Sequence, residues 1–159
     1  MFQKAKNRME EEIRRLDREL RHELPKEIQR AVAMGDLREN AEYQAALERQ
    51  GLVQARLRHL HKLVTELSSV DWRSFPRDRI GLGSKVDLVD VDSGKSVTYE
   101  LVLSEEADFP KGKVSVNSPI GRGLIGKNVG DEVIIRAPGG TKTYELETLR
   151  TVHDRQEEL

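Results

Sequence analysis

Hydrophobic positions divide the chain near residue 70. Before that point apolar residues recur every three or four positions with almost no glycine; after it, alternating β-branched residues, glycines and turn pairs take over. In the second helical pattern, Tyr43, Ala46, Gln50, Val53, Leu57, Leu60, Val64 and Leu67 follow alternating steps of three and four, the seam of a coiled coil. The first pattern offers Met9, Ile13, Leu16, Leu20, Leu24, Ile28 and Ala31. Its steps of four run consecutively from Leu16 to Ile28, so the seam drifts there as a stutter makes it drift. Pro25 lies inside that drift. A proline removes one helical hydrogen bond and clashes with the preceding turn, which predicts a kink near residues 21–25. Two segments of about 30 residues at 1.5 Å rise predict an arm of about 45 Å. Joined by one short turn, they form an antiparallel hairpin over residues 1–70.

The second half reads as short strands. Lys85–Val91 alternates, turns at Asp92-Ser93-Gly94-Lys95 and returns as Val97–Leu103, a β-hairpin pattern. Val114–Val116, Glu132–Ala137 and Thr143–Val152 are further strand candidates, and Pro138-Gly139-Gly140 marks another turn. Residues 118–126 suit a short helix or an ordered loop. Asp71-Trp72-Arg73-Ser74-Phe75-Pro76-Arg77-Asp78 opens a linker, 71–84, whose Trp72 and Phe75 are expected to pack one module on the other. The domain plan is therefore 1–70, a linker at 71–84, and 85–159. The second domain is α+β with a small antiparallel sheet.

Composition narrows the function classes. Charged residues make up 35% and aromatics 4% of 159 residues, too polar for one compact globule and suited to an exposed arm with a small core. The net charge of −1 argues against a strong global nucleic-acid field. With no cysteine, disulfides and thiolate metal sites are excluded. No apolar run approaches a membrane span, and the N-terminus lacks a signal peptide's apolar stretch, so a cytoplasmic protein is expected.

The candidate chemistry sits at the tip, residues 35–43. Asp36, Glu39 and Glu42 crowd a turn that normally carries small polar residues. Asp36 and Glu39, three apart, share a face if the segment is helical. Hard cations such as magnesium take oxygen ligands, yet two carboxylates fall short of the six that magnesium wants. The tip makes sense as a metal site only if a partner or a phosphate completes the shell, so no metal is expected on the isolated chain. The competing reading is a capping box with Asp36 as N-cap and Glu39 at N3. Asn40 is an equally good cap that starts the helix four residues later and leaves both acids in the turn. Arg38 either shields the acids or contacts a phosphate. Elsewhere the signals are weaker. His59 and His61, two apart on a helix, do not face each other. Gly121-Arg122-Gly123 with Gly126 lacks the lysine-serine ending of a phosphate loop. Ser118 has no partners for nucleophilic catalysis.

Two motifs carry a resemblance. Gly35-Asp36-Leu37-Arg38-Glu39-Asn40-Ala41-Glu42-Tyr43, with Ala45-Ala46 and Gln50-Gly51, resembles the tip of the bacterial Gre transcript-cleavage factors. Ala107-Asp108-Phe109 and Val114–Lys127, followed by Gly130-Asp131-Glu132-Val133 and Pro138-Gly139-Gly140, resembles their C-terminal domain. The likeness spans nearly the whole chain and is nearer the GreA type than GreB. It implies an all-α antiparallel coiled coil followed by a domain of FKBP-like fold without proline isomerase activity. It further implies an elongation factor whose C-terminal domain docks on the rim of the secondary channel of bacterial RNA polymerase while the tip reaches the active site. Such a factor is not itself an enzyme. Its tip acids help hold the second magnesium of the polymerase, which then cleaves its own backtracked RNA.

By position, the resemblance makes Asp36 and Glu39 the catalytic, metal-holding acids. Asn40, Glu42 and Tyr43 support the tip, and Asn117, Ser118, Pro119 and Ile120 form the polymerase-docking loop. The partners implied are polymerase and the nascent RNA 3′ end, with DNA met only indirectly, and a monomer is expected. The chain departs from the family pattern at its polar, basic start and at Leu47, where members often carry a base facing the RNA. Arg30, Arg38 and Arg49 are the candidate substitutes, with a solvated arginine as the alternative for each. Two other functions stay open: a Gre-like channel binder that regulates or inhibits without cleavage, and a coiled-coil adaptor with a small β domain.

Overall fold

The computed structural model describes residues 2–159 except Asp36 and Arg38, with backbone alone at Ala137. By its contacts the chain falls into two compact units, Phe2–Val70 and Asp71–Leu159.

The first unit is a helical hairpin. Its first limb comprises α1 (Gln3–Arg18), a π-helical turn (Glu19–Glu23) and α2 (Leu24–Val32); its second is α3 (Ala41–Ser69). The expected kink region is thus a π turn. Leu24 N–H reaches back five residues to Glu19 O, and Pro25 follows in the first turn of α2, where a missing N–H costs little. The π turn also explains the drifting seam. Met9 and Leu16 are seven residues apart, Leu16 and Leu24 eight, Leu24 and Ala31 seven, and all four are buried. The wider turn absorbs the extra residue and keeps one stripe facing α3.

On α3 the buried positions are Ala46, Val53, Leu57, Leu60 and Leu67, five of the eight seam residues; Tyr43, Gln50 and Val64 are half-buried. Two charged rungs flank the seam. Arg56 donates to both carboxylate oxygens of Glu12 at 2.9 and 3.1 Å, and Arg49 to both of Glu19 at 2.7 and 2.9 Å. The acids are seven residues apart on one limb and the arginines seven apart on the other, the pairing that heptads flanking an apolar seam produce.

The second unit is a five-stranded sheet of order β3-β2-β1-β5-β4 with a short helix. The strands are β1 (Lys85–Asp90), β2 (Ser96–Val102), β3 (Lys113–Ser115), β4 (Glu132–Ala137) and β5 (Gly140–Arg150); α4 (Pro119–Leu124) fills the segment left open between helix and loop. The sheet is mixed rather than purely antiparallel, because β3 runs parallel to β2. The chain between them passes through two 3-10 turns, Ser104–Glu106 and Phe109–Lys111, instead of a tight hairpin. A parallel neighbour requires such a crossover.

Alternation along β1 sends Val86 and Leu88 into a core shared with Leu101, Leu124, Val133 and Leu146. Ile80 is buried in the same core. Segment 71–84 also ties to the C-terminal residues. Trp72 lies against the His153 ring at 5.9 Å, and His153 Nε2 bonds Phe75 O at 2.7 Å. The Trp72 ring and the Phe75 backbone carbonyl therefore make these contacts inside the second unit. Buried Arg155 closes the unit by donating to Gly83 O, Glu100 and Glu158.

Candidate tip and docking surfaces

The tip is organised by Asn40. Its Oδ1 accepts from Tyr43 N–H at 3.1 Å and so caps α3, while its Nδ2 donates to Ala31 O at 2.6 Å. One side chain thus serves an orphan donor at the start of α3 and a carbonyl near the end of α2. Gln44 adds a bond from Nε2 to Leu37 O at 3.2 Å. Gly35 turns the chain with φ 125°, a conformation that side chains disfavour. Because Asn40 is the N-cap, Glu39 stands outside the helix in an exposed turn and does not occupy N3 of a capping box. Asp36 and Arg38, two of the candidate site residues, lie outside the described residues. Glu42 is exposed in the first turn of α3, and Tyr43 is half-buried.

Behind the tip, Glu27, Arg30, Glu42, Ala45, Ala46 and Arg49 line one open groove between the limbs. The structure therefore brings together two of the three candidate RNA-contacting bases, floored by small alanines. Arg49 is not a loose surface base: its fork is occupied by Glu19, and that hydrogen bond is the main reason the Glu19 carboxyl sits below its ordinary range. Among the described residues, no group of three or more His, Asp or Glu side chains is placed to hold a metal.

The candidate docking loop has divided roles. Ser118 caps α4, accepting from Gly121 N–H at 3.0 Å and donating to Ser115 O at 2.7 Å. Ile120 packs against the core, whereas Asn117 and Pro119 are exposed. Gly121 is a steric necessity, since a Cβ there would lie 2.0 Å from Ser115 O. Ser118, Pro119 and Ile120 line an apolar cleft of about 290 Å³ with Ala107, Phe109 and Val114. Phe109, 60% exposed, stacks on Tyr99 at 6.2 Å and forms one wall. Sequence reasoning did not single out Phe109 as a site residue, although it lies inside the quoted motif. An aromatic beside a proline in a turn-rich segment was the available signal.

No helix among the described residues is long and apolar enough to cross a membrane. The family model described as transcription elongation factor GreA/GreB, C-terminal, matches residues 75–150, and the transcription elongation factor N-terminal model matches residues 1–68. The transcription elongation factor GreA of Pseudomonas aeruginosa is 42% identical over 91% of this chain and 92% of its own length. That of Anaeromyxobacter sp. is 42% identical over 92% and 89%. Among solved structures, GreA factor homolog 1 of Thermus thermophilus aligns over 91% of this chain and 94% of its own, at 26% identity and TM-score 0.44. With both family models matched in order along nearly the whole chain, this protein belongs to the GreA/GreB family of transcription elongation factors.

Proposed function

We propose that this protein acts in the bacterial cytoplasm by entering the secondary channel of RNA polymerase and stimulating polymerase to cleave backtracked nascent RNA. The observation that carries the reading is the position of Glu39, an exposed carboxylate in the turn ahead of the Asn40 cap at the end of a long hairpin. A 29-residue α3 spans about 44 Å, long enough to carry an acid far from its base. Glu39 and Asp36 supply carboxylate oxygens to the second magnesium of the polymerase, and other ligands come from the polymerase and the RNA. A second metal in such a site stabilises the attacking and leaving oxygens. Asn40 and Tyr43 hold the turn in place, and Glu42 adds negative charge. The exposed surface of Asn117, Pro119 and Phe109 docks on polymerase, with Ser118 and Ile120 supporting it from within. The protein supplies no active site of its own.

The test is Glu39→Gln with Asp36→Asn in a stalled, backtracked elongation complex. Glu39 lies outside the helix cap, so Glu39→Gln should melt like wild type. The double variant should still bind polymerase and lose most stimulated cleavage, and raised magnesium should restore part of it by mass action. Full cleavage by the double variant would remove the metal-holding role of the two acids, whereas a wild type that binds polymerase without stimulating cleavage would leave a channel binder that regulates without cleavage.

A further inference from the structure

Arg49 is the base nearest Leu47, where a base is expected to face extruded RNA, and it is engaged within the arm. Its fork meets both oxygens of Glu19 at 2.7 and 2.9 Å. A guanidinium grips a phosphate through the same two-pronged geometry, so carboxylate and RNA phosphate compete for one donor set. The pair is open to exchange, with Arg49 50% and Glu19 21% exposed at the side chain. Water reaches both partners, so even this two-pronged pair is worth on the order of 1 kcal/mol and can be exchanged. Arg49 also borders the groove shared with Arg30, Glu27 and Glu42, so a strand lying there meets two bases beside two carboxylates and depends on the Arg49 fork being free. Eight helical steps from Ala41 place Arg49 about 12 Å along α3 from its start. Only an extruded 3′ segment long enough to cover that distance can reach it.

We propose that Glu19 is a specificity-determining residue that holds Arg49 away from extruded RNA, so that long backtracked segments are gripped less firmly than the base would allow. This rests on the reading that Arg49 faces RNA in the polymerase channel. The second rung supplies an internal control. Glu12 and Arg56 form a two-pronged pair of the same type seven residues farther from the tip, so neutralising Glu12 removes a comparable rung of the arm without freeing Arg49.

The experiment compares wild type, Glu19→Gln, Glu12→Gln and Arg49→Ala in elongation complexes backtracked to a short and a long extent. Cleavage rate, polymerase affinity and melting temperature are measured for each. Glu19→Gln should speed cleavage of the long complex about two- to fivefold, the factor that an exposed ion pair is worth, and leave the short complex unchanged. Glu12→Gln should accelerate neither, and Arg49→Ala should slow the long complex. If Glu19→Gln matches wild type on the long complex while Arg49→Ala is slow, the competition is overturned and the RNA contact stands. If Arg49→Ala matches wild type on the long complex, the RNA contact itself is overturned and the competition with it. Equal acceleration by Glu12→Gln would overturn the proposal in favour of a general loosening of the arm.

Discussion

Replacing Asn40 with alanine should unfasten the tip, and the structure sets the size of the effect. Two interactions are lost together. The cap to Tyr43 N–H is worth about 1 kcal/mol when a capping residue becomes alanine. The bond from Nδ2 to Ala31 O, part-buried and joining the two limbs, contributes about another 1 kcal/mol. The arm should therefore lose roughly 2 kcal/mol, which for a unit of this size lowers its melting midpoint by roughly 8–16 °C.

Asn40→Asp separates the two contributions. A carboxylate still caps α3 but cannot donate to Ala31 O, so about half the loss should remain. Two probes keep the units distinct. Helical circular dichroism reports mainly the hairpin, whereas Trp72, the only tryptophan, belongs to the second unit. The helical transition should move and the fluorescence transition should stay. Since Glu39 directly precedes the cap, Asn40→Ala should also lower stimulated cleavage at temperatures where the arm is still folded. An unshifted helical transition in Asn40→Ala would refute the claim that this side chain fastens the tip.

Three further outcomes are expected. Gly121→Ala should destabilise the sheet domain by roughly 3 kcal/mol or more, read by Trp72 fluorescence in urea, because its Cβ meets the Ser115 carbonyl at 2.0 Å; a wild-type midpoint would contradict that geometry. Pro119→Ala should weaken polymerase binding with little change in melting, since Pro119 is exposed, whereas Ser118→Ala should cost about 1 kcal/mol of folding stability as a lost cap; equal binding by Pro119→Ala would move the docking surface elsewhere. In acid, the sheet domain should lose stability as pH falls below about 4. Asp87 is held below its ordinary range by the Thr148 and Thr98 hydroxyls, and Asp90 by the backbone N–H groups of Asp92 and Ser93. Their folded pKa values lie below the unfolded ones, so the unfolded chain takes up protons first, and the stabilisation present above pH 4 fades toward the folded values. Asp87→Asn should flatten that dependence in acid titrations of Trp72 fluorescence.

What the sequence by itself determined was local and periodic. Steps of three and four marked the hairpin, alternation marked the strands, and Asp92–Lys95 marked the turn between β1 and β2. Two motifs in the right order carried the family and the position of the acidic tip. Each signal is written within a few residues of where it acts, so no knowledge of the fold was needed to read it.

The tertiary structure decided where local signals were degenerate. Asp36 and Asn40 are near-equal caps by propensity; Asn40 caps α3 where its second group can also reach Ala31 O across the turn. The direction of β3 was invisible because three alternating residues look the same parallel or antiparallel, and only the crossover past Phe109 fixes it. Pro25 announced an interruption, but its form as a π turn followed from the need to keep Leu16 and Leu24 on one stripe against α3. The engagement of Arg49 by Glu19, 30 residues away, and the bond from Arg155 to Gly83 O, 72 residues away, carry no local pattern at all. Side-chain pairs of that separation are set by how limbs and strands come together, because a charge along the chain does not record which opposite charge packing will place beside it.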